Sequence, residues 1–430
     1  MNLKAYGIVT GAYWGQTITD GALHMLVLLH FYTLGFTPFQ IAFLFVLYEL
    51  MGVITNLLGG WIAARFGLTT TLYAGLVTQI AALVALAALD PAWPLVWSVV
   101  YATAIQGLAG VAKDLTKMSS KSAIKLVVPE DQKGGLFKWV AILTGSKNAM
   151  KGAGFFVGGL LLATLGFGGG LFLLAACLAV ILVLTVATLP RGMGRAKAKT
   201  PLTRILAKAP AINTLSAARV FLFGARDIWF VVGVPIFLYE VAGWSFLQVS
   251  TFLALWVIGY GAVQAGAPRL IESSTDGLAS EVRAARGWAL GLAATPALVA
   301  LGLAAILPFE LLTTHGAEAA GEWGLIGPGA VIIAGLGLFG AVFAVNSSLH
   351  SYLILAYSKA EDVTMDVGFY YMANAAGRLV GCLLSGWSYQ VLGVVGCLGL
   401  STVFLLVSWG FALALPVSRD QPLGRAPARG

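Results

Sequence analysis

Charge is scarce in this sequence. Only 10% of its 430 residues are Asp, Glu, Lys or Arg, 59% are hydrophobic, and the mean hydropathy is +0.88. Most of such a backbone cannot be solvated, and in lipid it must be satisfied within its own helices. No soluble domain fits. Cysteine is also rare: Cys177, Cys382 and Cys397 sit in apolar runs without CxxC spacing. That excludes a disulfide framework and a thiolate metal cluster, so all three read as small buried hydrophobes. The N-terminus offers only Lys4 before a run reaching about Phe31. It is too long for a signal-peptide core and is expected to stay attached as a first span. The net charge of +8 would suit a nucleic-acid binder in a soluble protein, but here the bias of basic residues toward one membrane side accounts for it. No nucleic-acid partner is expected.

What remains is a series of apolar runs. A bilayer crossing takes about 20 residues, and the runs place spans near 5–31, 39–63, 69–89, 93–113, 135–164, 167–189, 212–240, 246–270, 287–308, 325–350, 364–391 and 394–416. The expected fold class is an all-α integral membrane protein with 12 transmembrane helices in two six-helix halves. Five cations, Lys147, Lys151, Arg219, Arg226 and Arg378, lie within spans; the other Lys and Arg flank the N-terminus, the even-numbered connectors and the C-terminal tail. The connector from Pro308 to Gly324 instead carries Glu310, Glu318 and Glu322. This asymmetry predicts cytoplasmic termini.

The longest acid-free basic connector, from Arg191 to Lys208, divides the chain into a first half (1–190), a basic cytoplasmic linker (191–211), a second half (212–416) and a cytoplasmic tail (417–430). Asp20 followed by Gly35-Phe-Thr-Pro-Phe-Gln-Ile41 resembles Asp227 followed by Gly243-Trp-Ser-Phe-Leu-Gln-Val249. Two like-oriented repeats of six spans are the major facilitator arrangement. Its loop motif appears worn in Gly60-Trp-Ile-Ala-Ala-Arg-Phe-Gly67, where Ala64 replaces the acid, and Gly145, Gly154, Gly158 and Gly159 fall on the spacing of its antiporter motif.

The intramembrane charges point to cargo chemistry. A Lys at mid-membrane costs about 2.5–3.5 kcal/mol, yet Lys147 and Lys151 are four residues apart on one helix face. With Arg226 and Arg378, whose planar forks suit phosphate-like oxyanions, they form the candidate substrate-binding set. The acids within spans, Asp20, Asp227 and Glu49, are too few to neutralise the cations, and a multivalent anion supplies the missing charge. Asp20 and Asp227 are open to charge compensation or proton carriage, and Glu49 is the other candidate proton carrier. Arg219, near the cytoplasmic end of its span, is open to plain snorkelling. Lys113, Lys117, Lys121 and Lys125 repeat every four residues, either as a headgroup-facing stripe or as a funnel for anions; Lys113 and Lys117, nearest the membrane, are the candidate cargo contacts among them. Asn346 and His350 on the tenth span are further hydrogen-bonding candidates. No catalytic residues, metal site or cofactor are expected.

Four strings carry a more specific resemblance: Thr19-Asp-Gly-Ala-Leu23, the Lys-rich run from Ala112 to Leu126, Trp139 to Gly152, and Ser216-Ala-Ala-Arg-Val-Phe-Leu-Phe-Gly-Ala-Arg-Asp-Ile-Trp229. They resemble the ArsJ family of organoarsenical efflux permeases, of major facilitator type, over nearly the whole chain. The resemblance implies export of 1-arseno-3-phosphoglycerate across a bacterial inner membrane for arsenate resistance, with a functional link to the glyceraldehyde-3-phosphate dehydrogenase that makes it. The family supplies no residue assignments, so the site rests on charge and topology. Two other readings compete: a sugar-phosphate or organophosphate antiporter, and a non-transporting membrane sensor or scaffold.

Overall fold

The computed structural model describes residues 3–90, 92–123, 133–190, 209–267, 278–306, 327–358 and 363–417. Lys125, most of the basic linker, the acidic connector and the C-terminal tail after Val417 lie outside the described residues, as do the side chains of Ala64, Arg65, Lys121, Lys133 and Lys138 and the surroundings of Gly145. Every regular element described is a helix: α1 (Leu3–Thr33), α2 (Pro38–Leu44), α3 (Val46–Phe66), α4 (Leu68–Ala87), α5 (Leu95–Ala123), α6 (Lys133–Thr188), α7 (Pro210–Phe230), α8 (Gly233–Glu240), α9 (Phe246–Gly266), α10 (Ala279–Ala304), α11 (Pro328–Tyr357) and α12 (Val363–Leu413). Nine helical stretches among the described residues are long and apolar enough to cross a bilayer, so the chain is a multi-pass membrane protein.

Some expected spans differ in detail. The second is divided into α2 and α3 at Phe45, and the seventh into α7 and α8 at Val231–Val232. The fourth does not stop at residue 113, because no Gly or Pro intervenes before Ala123 and α5 carries Lys113 and Lys117 onward in the same helix. Cys177 is exposed, unlike the buried Cys382 and Cys397, so its expected burial does not hold; it lies among other exposed apolar residues of α6.

Both long helices reverse at a glycine. Gly166 in α6 and Gly393 in α12 have φ of 70° and 61°, a left-handed conformation costly for residues with a Cβ. Before Gly393, α12 runs parallel to α7, with Gly377 against Val220 and Gly381 against Gly224; after it, Ser408 bonds Ala218 and Ser401 bonds Ala225, the opposite direction. The first arm of α6 likewise follows α1, with Gly154 at Ile18 and Gly158 at Ala22, and its second arm returns with Gly170 at Leu26 and Ile181 at Gly15.

The chain divides into two compact units, one from Met1–Leu202 with Trp244–Gly261, the other from Thr203–Gly243 with Ala262–Gly430. Most of α9 therefore groups with the first unit. The glycines of α6 explain it. Gly154 and Gly158 admit α1, while Gly152 and Gly159 admit α9, whose Ala254 carbonyl would stand 2.7 Å from a Cβ at Gly152.

The short repeated motif is a helix-start device. Gly35 and Gly243 adopt φ of 84° and 69°. Two residues on, Thr37 and Ser245 exchange reciprocal bonds with Gln40 and Gln248, forming capping boxes at the starts of α2 and α9.

Candidate anion site

In the second unit, α7 and the first arm of α12 approach closely because Gly224, Gly377 and Gly381 have no side chains. A Cβ at Gly381 would sit 2.6 Å from the Gly224 carbonyl and 3.0 Å from Asp227 Cβ. This seam brings three charges together. Arg226 Nε and Nη2 each lie 2.6 Å from Asp227 Oδ1, and Arg378 Nε lies 3.5 Å from Oδ2. Asp227 is 2% exposed, whereas the two Arg side chains remain 17% and 21% exposed. Two guanidinium groups thus share one buried carboxylate, and the triad carries a net positive charge.

Seven residues before Arg226, Arg219 does not snorkel. It is 4% exposed, donating from Nε to Asn374 Oδ1 (3.2 Å) and from Nη1 to the Ser347 carbonyl (3.2 Å) and hydroxyl (3.1 Å). Its guanidinium stacks on Phe223 and Tyr370, and Arg226 stacks on Phe223 and Phe343. Aromatic faces attract a desolvated cation by about 2 kcal/mol, so the rings hold both cations without neutralising them.

In the first unit, α1, α3 and α5 bring together Asp20, Tyr48 and Lys113. Tyr48 donates its hydroxyl to Asp20 Oδ1 (2.6 Å), and Lys113 Nζ lies 3.8 Å from the centre of the Tyr48 ring. Gly110 permits this, since a Cβ there would meet the Tyr48 backbone at 2.5 Å. Glu49, next on α3, is also buried. On α6, Lys147 and Lys151 are partly buried; Lys151 Nζ lies 5.6 Å from the Phe155 ring, and its carbonyl packs against Gly21.

Lys117 is bound locally: its Nζ reaches Asn56 Oδ1 at 2.6 Å and Asp114 Oδ1 at 3.2 Å. Asp114 is fully buried and also accepts from Thr55 at 2.5 Å. The expected fourth span ends at residue 113, one residue before Asp114, which therefore falls outside the acids expected within spans. Tyr48 and Asn374 carry no charge and gave no signal of their own. The signal for Arg219 was present, a cation within a span seven residues from a second one on the same helix. Among the described residues no three His, Cys, Asp or Glu side chains stand close enough to hold a metal ion.

No protein-family model and no curated protein matches the chain. A solved structure does: a POT family transporter in complex with a thioalcohol-conjugated peptide, with a TM-score of 0.68, 12% sequence identity and 95% of each chain covered. The chain therefore shares the fold of that structure. At that identity the likeness concerns architecture and not cargo.

Proposed function

We propose that this chain transports a small organic oxyanion of the phosphate class, and that it exports 1-arseno-3-phosphoglycerate. The observation that carries the reading is the Arg226–Asp227–Arg378 triad, in which two planar forks converge on a single carboxylate. Two partly exposed guanidinium groups around one buried carboxylate favour the approach of a further negative charge. Bidentate guanidinium donors fit the oxygens of phosphate and arsenate. In the first unit, Lys147 and Lys151 on α6 and Lys113 on α5 are the candidate cargo contacts. Asp20 and Asp227 act as charge modulators, and Glu49 is a third carboxylate held from water.

The arsenical cargo is supported by the four strings that resemble organoarsenical permeases, together with the cysteine placement. Trivalent arsenic is soft and seeks grouped thiols, whereas Cys177, Cys382 and Cys397 are separate free cysteines. A pentavalent acyl arsenate with a phosphate needs cations instead. In this reading the cytoplasmic dehydrogenase forms the substrate, and the inside-negative potential favours its exit by about 2.3 kcal/mol per charge per 100 mV.

Everted membrane vesicles containing the protein test this, supplied with arsenate, glyceraldehyde-3-phosphate, NAD and the dehydrogenase, with arsenic inside the vesicles as readout. Accumulation should require every component and be lost in the Lys147→Ala/Lys151→Ala protein. Accumulation from arsenate alone, or none despite folded protein, would remove the arsenical cargo and favour exchange of a sugar phosphate for phosphate. Undiminished export by the double variant would remove the fifth span from the site.

A further inference from the structure

A buried polar cluster lies on α11 beside Arg219. His350 and Asn346 are fully buried on α11, four residues apart and so on one helix face. Neither ring nitrogen of His350 has a hydrogen-bond partner among the described residues, and neither has the Asn346 carboxamide oxygen. The Asn346 nitrogen makes only a long bond, 3.4 Å, to the Ala285 carbonyl. Ser347, between them in sequence, is the residue that receives Arg219. On α7, three residues before Arg219, the buried hydroxyl of Ser216 is likewise without a partner.

Leaving a buried donor or acceptor unsatisfied costs about 1–3 kcal/mol. Leucine would fill these positions of an apolar helix at no such cost. The cluster also has a defined hydrogen-bonding character. Arg219 supplies positive charge and donors, neutral imidazole supplies one donor and one acceptor, and the Asn346 oxygen only accepts. A bare oxyanion satisfies the donors and leaves the acceptors empty. A ligand carrying both an oxyanion and a hydroxyl satisfies all of them.

We propose that Arg219, His350, Asn346 and Ser216 form a second binding station, for a hydroxylated phosphate-class anion. It rests on the anion-transport reading above and extends it. The station lies about 10 Å along α7 from Arg226, and the Phe223 ring stands between the two, 4.0 Å from the Arg219 guanidinium and 4.8 Å from that of Arg226. With His350 fully buried and Arg219 at 4% exposure, loading requires α7 and α11 to part locally.

Binding of two probes to the purified full chain tests the station: 3-phosphoglycerate, and 3-phosphopropionate, which lacks the hydroxyl. Each is titrated calorimetrically, alongside thermal unfolding. In His350→Leu the affinity for 3-phosphoglycerate should fall at least tenfold while the unfolding midpoint holds or rises, because an unpaired polar group has been removed. In Asn346→Leu the preference for the hydroxylated probe should disappear. If His350→Leu and Asn346→Leu bind both probes as the native chain does, while Arg226→Gln does not, the station is overturned and the main site stands. A native chain that binds neither probe overturns both.

Discussion

The two units repeat one frame and place different charges on it. In each, a glycine of the parallel arm faces a carbonyl of the leading helix: Gly154 faces Ile18, and Gly381 faces Gly224. The neighbours agree, since Gly154 also approaches Gly21, and Gly381 approaches Asp227. By this register Lys151 corresponds to Arg378, Lys147 to Asn374, Asp20 to Arg226 and Gly21 to Asp227. The second unit thus sets an acid opposite its arm's cation, whereas the first sets a glycine there and turns its acid toward Tyr48 on another helix. One unit fixes its cations by pairing. The other sets its carboxylate on a tyrosine hydroxyl, and its arm carries lysines, compact point charges in place of a planar fork.

The largest way to break this comparison is Asp227→Asn. Removing the shared charge leaves Arg226 and Arg378 facing each other, and loss of one partner from a buried pair costs about 3–5 kcal/mol. A fall in the unfolding midpoint is expected, partly reversed by adding Arg378→Gln. In Asp20→Asn the fall should be smaller, because Tyr48 can still donate to the amide oxygen. Equal falls in the two variants would show that Asp20 has a cationic partner of its own.

Glycine substitutions come next. Gly154→Ala and Gly381→Ala each drive a methyl group into a backbone carbonyl, which cannot swing aside as a side chain can. Overpacking of this kind costs about 1–3 kcal/mol. A shared frame requires similar losses of stability at the two positions. A large loss at one and none at the other would show that the seams differ.

The residues above also mark what was legible in the sequence. Fold class and most span positions followed from hydropathy, because lipid leaves a backbone few options. The repeat was visible because a glycine turn followed by a capping box has fixed spacing. Its register was not. Matching Asp20 to Asp227 seemed natural, yet packing matches Asp20 to Arg226, and the extra length of the second unit falls where α7 breaks into α8 at Val231–Val232. That break does have a signal, Pro235, which cannot donate to the Val231 carbonyl four residues earlier and whose ring crowds it. Charged site residues were readable as costly exceptions in apolar runs. Tyr48, Asn374 and Ser347 were not, since an aromatic or small polar residue in a span costs little and acquires a role only through what packs beside it.

Tyr48→Phe is a finer test of the first unit. It removes the hydroxyl from Asp20 and keeps the ring beneath Lys113. A hydrogen bond to a charged group contributes about 1.5–3 kcal/mol, so a modest loss of stability is expected, with the vesicle assay reporting whether Asp20 freed from Tyr48 slows export. Export at the native rate would confine Asp20 to a structural role.

The smallest stability effect belongs to Lys113→Gln, and it separates the two lysines of α5. Lys113 gives up a ring contact at 3.8 Å, a loss of about 0.5–1 kcal/mol. Lys117→Gln instead uncovers Asp114, a fully buried carboxylate then left with the Thr55 hydroxyl and the charge of Lys113, so its unfolding midpoint should drop further. In transport the order should reverse. Lys117 bonds Asp114 and Asn56 directly, while Lys113 rests on the Tyr48 ring and acts on Asp114 without a direct ion pair, so more of its charge is available to an anion. Slower export in Lys113→Gln than in Lys117→Gln, measured at equal amounts of folded protein, would divide the lysine stripe into a cargo contact and a brace. The opposite order would make Asp114 and Lys117 the functional pair and Lys113 a packing residue.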